Sequence, residues 1–337
     1  MRLSRRGASR CLLRRPHGAS VSTAARSPAE DGLAAGTLSS NITPQLLSKL
    51  GQGLHLRDAH PLGLIRRAIE GELERGAPGV FASVNDLDPR VTPTANFDDL
   101  LIGPEHSSRS LHDTFYYDGG ESLLRTHTSA HQTQLLRQGG RAFTVTGDVY
   151  RRDCVDTSHY PVFHQMEGVR IFEQWGNGED AVERVEADLK RTLDGIISAV
   201  FGNAESRWRD DHFPFTSPSF EVDIFFEGEW LEVLGCGVVH QDILDACALG
   251  HCRGWAFGLG LERLAMVLFG IPDIRLFWTQ DERFHSQFSG ADVAPGGKKW
   301  PPRFVPFSKF PPCFKDVSFW LPQDGRLDEH PRAVRGH

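Results

Sequence analysis

The stretch Val149 to Gly168, VYRRDCVDTSHYPVFHQMEG, constrains the chain more than any other. Adjacent arginines, Arg151 and Arg152, lead into a polar, turn-rich span from Asp153 to His159, after which Val162 and Phe163 return to His164, Gln165 and Glu167. Apolar residues on both sides of a polar turn predict a strand, a loop and a returning strand. In that hairpin Arg151 is expected opposite Gln165 and Glu167 on one sheet face. An arginine fork suits phosphate and a carboxylate beside an amide suits an ammonium, so the hairpin has the groups to hold a nucleotide and an amino acid side by side. An ordinary hairpin with a solvated charged loop accounts for these residue types equally well, and alone they leave both readings open.

At 337 residues the chain can bury a full core in one large or two ordinary domains. Its first 29 residues carry seven arginines (Arg2, Arg5, Arg6, Arg10, Arg14, Arg15, Arg26), repeated Ser and Ala, and no acid before Glu30. That is the composition of a mitochondrial transit peptide, expected over 1–29 and excluded from the fold. Without those seven charges the formal net charge of -7 falls to about -14, so no bulk positive field draws the body to nucleic acid, and any RNA contact is a local patch. The six cysteines (Cys11, Cys154, Cys236, Cys247, Cys252, Cys313) form no CxxC pair, which argues against a disulfide framework or a zinc ribbon. Cys247, His251 and Cys252 lie close in sequence but lack the second ligand pair of a tetrahedral site. No apolar run reaches bilayer-spanning length, so no membrane partner is expected.

Taken in order, residues 27–43 are rich in Ser, Ala, Gly and Pro, and a linker is expected over 30–41, with the body beginning at Ile42. In HPLGLIRRAIEGELE, from His60, Pro61 stands at a helix first turn and Leu62, Ile65, Ile69 and Leu73 form one apolar stripe, with Arg66 and Arg67 outside. Further on, ESLLRTHTSAHQ crowds polar side chains at a strand end, with Thr128 or Ser129 expected to cap a helix from Ala130 and His127 and Ser129 aimed into a cleft. Asp180 to Gly202 carries Val182, Val185, Leu189, Leu193, Ile196 and Val200 at helical spacing. Val222, Ile224 and Phe226 alternate with Glu221, Asp223 and Phe225 before a short Gly-Glu turn and a strand from Trp230 to Leu234, a second hairpin. Finally, a Gly-rich lead-in, GWAFGLG, is expected to open a helix from Leu259 to Leu268 with Glu262 and Arg263 on its first turns. The dinucleotide GxGxxG and phosphate-loop GK[ST] fingerprints are both absent.

Taken together, THTS at Thr126–Ser129, the YRRD to FHQMEG hairpin, FPF at Phe213–Phe215 and GLGLERLAM at Gly258–Met266 closely resemble the class II aminoacyl-tRNA synthetases, in particular their phenylalanyl branch in its single-chain mitochondrial form. The four blocks occur in the family's order, and the likeness covers about residues 42–320. It implies an α+β fold, a six- or seven-stranded antiparallel sheet flanked by helices, with the catalytic domain over 42–288. It implies an ATP-dependent, Mg2+-assisted ligase of the mitochondrial matrix, a monomer, that joins phenylalanine to tRNA(Phe). Arg151 resembles the arginine that grips the α-phosphate, and Arg263 the arginine that reaches the γ-phosphate and flanks the adenine. Phe163 is implied on the adenine's other face, with Asp153 and His159 near the nucleotide and Glu232 as an acid on the ATP or metal side. His127, Ser129, Gln132, Gln165 and Glu167 are implied around the substrate's ammonium and carboxylate, and Phe213, Phe215, Ala256 and Phe257 around its ring. Such chemistry needs alignment and charge neutralisation rather than a protein nucleophile, in keeping with the lack of a convincing Ser/His/Asp or Cys/His arrangement.

The chain departs from the family at its C-terminal side. After a linker expected over 289–308, KFPPCFKDVSFWLP at Lys309–Pro322 resembles the first strand of a ferredoxin-like anticodon-binding domain, but the charged, Pro/Gly-containing residues that follow do not continue it. The expectation over 309–337 is therefore an incomplete anticodon-binding segment. It leaves, as an alternative to full tRNA charging, a form that binds or activates phenylalanine but charges tRNA poorly.

Overall fold

The computed structural model describes residues 40–290 and 300–307. The expected leader, nearly all of the first linker, part of the second, and the anticodon-binding segment at 309–337 lie outside the described residues. Helix α1, Pro61–Gly76, starts where the sequence predicts: Pro61 occupies its first turn, and the His60 ring accepts the Leu62 N–H at 3.3 Å. Its stripe of Leu62, Ile65, Ile69 and Leu73 is buried. Strand β1, Ala82–Val84, follows, and a loop region containing a small three-stranded sheet leads to helix α2, Gln132–Arg137. The helix expected from Ala130 begins instead as a tight 3-10 turn over Thr128–His131, and neither Thr128 nor Ser129 caps it.

Strands β2, Ala142–Tyr150, and β3, Val162–Phe172, form the expected first hairpin. Helix α3, Glu179–Phe201, precedes strands β4, Glu205–Phe213, β5, Thr216–Phe226, and β6, Glu229–Val239. The turn between β5 and β6 places Glu227 at φ 51° and Gly228 at φ 95°, the paired positive angles that let two residues reverse a twisted hairpin. After the short helix α4, Gln241–Ala246, the Gly-rich segment is itself a strand, β7, Arg253–Gly260, and helix α5 runs from Leu261 to Phe269. The expected helix start at Leu259 is thus two residues early, because Trp255, Phe257 and Leu259 alternate as strand residues and all face the core.

The seven strands lie in the order β1-β2-β3-β7-β6-β5-β4. All neighbours are antiparallel except the edge pair β1 and β2, which is parallel, so the expected all-antiparallel sheet carries one parallel addition. On one face α1, α3 and α5 pack in a large core with Val222, Ile224, Trp255, Phe257 and Leu259. Within it the Asp188 carboxylate of α3 accepts Trp255 Nε1–H at 2.9 Å and Arg170 at 3.1 Å, tying helix to sheet. On the other face an apolar cluster of Phe143, Val145, Val169 and Ala256 with Phe97, Leu136 and Leu244 covers only one end of the central strands. The uncovered end carries polar side chains and glycines.

Candidate active site

The hairpin register fixes which groups share the uncovered face. Val149 pairs with Phe163, Gly147 with Gln165 and Val145 with Glu167, so Phe163, Gln165 and Glu167 point to one side at steps of about 6.6 Å. Arg151 lies one step beyond Val149, its N–H bonded to Pro161 O at 3.0 Å. It therefore shares the face of Gln165 and Glu167 but does not stand opposite them. Its guanidinium lies 5.2 Å from the Phe163 ring, in cation–π range, and its Nε donates to Thr126 O at 2.8 Å. Protein surrounds this arginine, yet its side chain remains open to the cleft.

The Glu167 end is dry. Glu167 is 2% exposed, and among the described residues neither carboxylate oxygen closes a hydrogen bond of good geometry. Burial raises its carboxyl to about 8, and the nearby Ser129 hydroxyl pulls only weakly the other way. Both His127 ring nitrogens and Gln132 Nε2 are also buried without partners. Burial, then the charge of Arg151, pushes His127 down to about 3, so its ring is neutral. A chain that buries three side chains with unpartnered polar atoms around one cleft stores a demand for a polar ligand.

The floor beside Glu167 has no side chains. Gly258 pairs with Glu167 and Gly260 with Gln165, and a Cβ at either glycine would meet open space. Ala256 continues this face toward the apolar end. Phe213 and Phe215 stack with ring centroids 5.8 Å apart, and Phe213 lies so close over Gly235 that a Cβ there would come within 2.8 Å of its ring. Phe257 is a correction. Its neighbours on β7 face the cleft, so its own ring points through the sheet into the core beside Trp255, at 5.9 Å, where it cannot touch a ligand held by Glu167.

At the other end, Arg263 is exposed on the first turn of α5. Asp153 and His159 sit in the exposed loop between β2 and β3. Asp153 accepts the Cys154 N–H at 2.7 Å and His159 Nδ1 pairs with Asp156 at 2.9 Å, so both are engaged within the loop. Glu232 lies on β6 beside Asp223 of β5, which is held by Arg207 and Arg209 at 2.8 Å each.

The family model for the tRNA synthetases class II core domain (F) matches residues 79–288. The chain belongs to the class II tRNA synthetases. The chloroplastic/mitochondrial phenylalanine–tRNA ligase of Arabidopsis thaliana is 52% identical over 299 residues, covering 88% of this chain and 68% of that protein. The mitochondrial phenylalanine–tRNA ligases of Dictyostelium discoideum and Mus musculus are 45% and 46% identical, covering 86% and 84% of this chain and 73% and 69% of those proteins. These relatives place it in the phenylalanine–tRNA ligase branch of the family. A crystal structure of pyrrolysyl-tRNA synthetase from Desulfitobacterium hafniense is similar in fold alone, at 19% identity and a TM-score of 0.50, covering 69% of this chain and 80% of that one.

Class II synthetases use a divalent metal, and the residues present fit one. Glu221 lies near Glu232 on the neighbouring strand; burial first, then the charges of Glu232 and Asp211, raises its carboxyl above the usual range. Crowded carboxylates are the donor type a hard cation takes. Among the described residues no group of three His, Cys, Asp or Glu converges, so phosphate oxygens would complete the shell.

Sequence reasoning missed the residues that brace the synthetase site from behind. Arg125, 1% exposed, donates to Asp148 Oδ1 at 3.0 Å and Asp148 O at 2.7 Å and meets His131 Nε2 at 2.9 Å. Asn96 exchanges two bonds with Thr126, at 2.9 and 3.0 Å, beneath the carbonyl that holds Arg151. Their only signal is a charged or amide residue at the end of an apolar or capped run, which periodicity does not separate from a surface position.

Proposed function

We propose that this chain is a mitochondrial phenylalanine–tRNA ligase that works as a monomer in the matrix. Phenylalanine and ATP form phenylalanyl adenylate with release of pyrophosphate, and the phenylalanyl group then passes to the terminal ribose of tRNA(Phe) with release of AMP. One observation carries the reading: Phe163, Gln165 and Glu167 line one cleft face over roughly 13 Å, the reach of an extended aminoacyl adenylate, beside a side-chain-free strand. The similar phenylalanine–tRNA ligases of Arabidopsis thaliana, Dictyostelium discoideum and Mus musculus support it.

The residues then divide the work. Glu167, ionised, takes the substrate ammonium, with Ser129, His127, Gln132 and Gln165 supplying hydrogen bonds to the ammonium and carboxylate. Phe213, Phe215 and Ala256 receive the ring. Arg151 grips the α-phosphate so that the substrate carboxylate oxygen attacks phosphorus in line while pyrophosphate leaves on the far side. Phe163 stacks on the adenine, Arg263 flanks it and reaches the γ-phosphate, and Asp153 and His159 lie at the nucleotide's rim. Bound Mg2+, held by Glu232 with Glu221, would neutralise charge on the phosphates. Every other role belongs to the chain's own side chains.

Phenylalanine-dependent ATP–pyrophosphate exchange, measured beside charging of tRNA(Phe), tests this. Both activities are expected, and Arg263→Ala should lower exchange by a factor on the order of a hundred or more. Exchange no higher than in the absence of amino acid would sink the reading.

A further inference from the structure

Glu262 and His164 form a buried pair, 98 residues apart in sequence, whose side chains are 3% and 1% exposed. One Glu262 oxygen accepts the His164 backbone N–H at 2.7 Å, and the other meets His164 Nδ1 at 2.7 Å. The local reason is the sheet's edge. The last ladder pair between β3 and β7 is Gln165 with Gly260, so beyond it His164 has no strand on that side, and the Glu262 carboxylate supplies the missing acceptor. The ring is held from behind by His55 at 5.2 Å and Trp278 at 5.9 Å.

The pair's neighbours in the chain are Phe163 and Arg263. On a strand, burying His164 turns Phe163 to the opposite face, and on the first turn of α5, burying Glu262 leaves Arg263 exposed. One bidentate contact therefore sets the spacing between the two groups assigned to the adenine. A buried pair of polar side chains is a poor source of net stability but a good device for fixing a single geometry.

We propose that Glu262 and His164 are positioning residues for the nucleotide, holding Arg263 in register with Phe163 across the ATP-binding end of the cleft. The inference rests on the nucleotide placement in the proposed function. ATP dissociation constants for the unmodified chain, Glu262→Ala, Arg263→Ala and the double variant, measured by calorimetry, test it. Glu262→Ala should weaken ATP about tenfold while changing phenylalanine affinity less than about twofold. In the Arg263→Ala background the same change should cost less than about twofold, because the residue it positions is gone. His164→Asn, which keeps a side-chain donor, should stay within about threefold of the unmodified chain.

Equal losses of ATP and phenylalanine affinity, or an undiminished tenfold loss without Arg263, would overturn the proposal. If Glu262→Ala does not fold, the cycle is run with Glu262→Gln: loss of its effect in the Arg263→Ala background supports the proposal, and an additive effect overturns it. ATP bound as tightly by Arg263→Ala as by the unmodified chain would overturn the nucleotide placement together with this inference, whereas an additive cycle overturns the inference alone.

Discussion

At the Glu167 end of the cleft the polar groups are buried and lack partners, whereas at the Arg151 end they are open to solvent and many are already paired. Glu167, His127 and Gln132 each bring buried atoms without a hydrogen bond. Asp153 and His159 have local partners, and Arg151 leans on Phe163 and Thr126. The first arrangement recognises a small zwitterion by leaving unpaired groups wherever the right ligand is missing, a source of large discrimination. The second meets a larger, more highly charged ligand with exposed charges that salt can screen. Substitutions should therefore be costly at one end and cheap at the rim of the other.

The largest effect is expected at Glu167. Glu167→Gln keeps the shape and removes the charge that faces the ammonium, and should raise the KM for phenylalanine on the order of a hundredfold with the KM for ATP little changed. Comparable losses for both substrates in steady-state exchange would dissolve the contrast between the ends.

The pH dependence of stability follows from the same residue. Its folded-state pKa, about 8, lies above the ordinary 4.5, so its contribution to stability is fully present below about 4.5 and is lost as pH rises through 8. Within that window the free protein should lose up to about 1.4 kcal/mol per pH unit from this group, and Glu167→Gln should flatten that slope in denaturant titrations. His127 acts in the opposite sense: its pKa is lowered from 6.5 to about 3, so its contribution is present above 6.5 and is lost as pH falls toward 3. Phenylalanine, which needs the Glu167 carboxylate, should bind more tightly as pH rises toward 8. A slope unchanged by Glu167→Gln would mean that the carboxyl is not desolvated in solution.

The contrast between the two ends was only partly legible in the sequence. The stripes of α1 and α3 and the strong alternation of β5 announced the core face, because burial of one side leaves a regular period. Strand β7 was misread as a helix lead-in because its cleft side is Ala256, Gly258 and Gly260, residues that give an open floor and no apolar mark. Phe257 was expected on the ligand side, although alternation with Ala256 sends it to the core. Arg151 was set opposite Glu167 because register depends on where the loop closes, and that was fixed only by the Arg151–Pro161 bond. The His164–Glu262 pair was invisible for a different reason: it joins elements 98 residues apart, and no local pattern encodes it.

The smallest effect is expected at His159. It is half-buried and paired with Asp156 within its own loop, so His159→Asn should change the KM for ATP by less than about twofold near physiological salt. Whatever change remains should shrink further as salt is raised, since exposed charges beyond about 8 to 10 Å are largely screened. A tenfold increase would show that the loop closes over the nucleotide and desolvates His159. The two ends of the cleft would then differ only while empty, with ATP converting the open end into a buried one, and Asp153→Asn should show the same large loss.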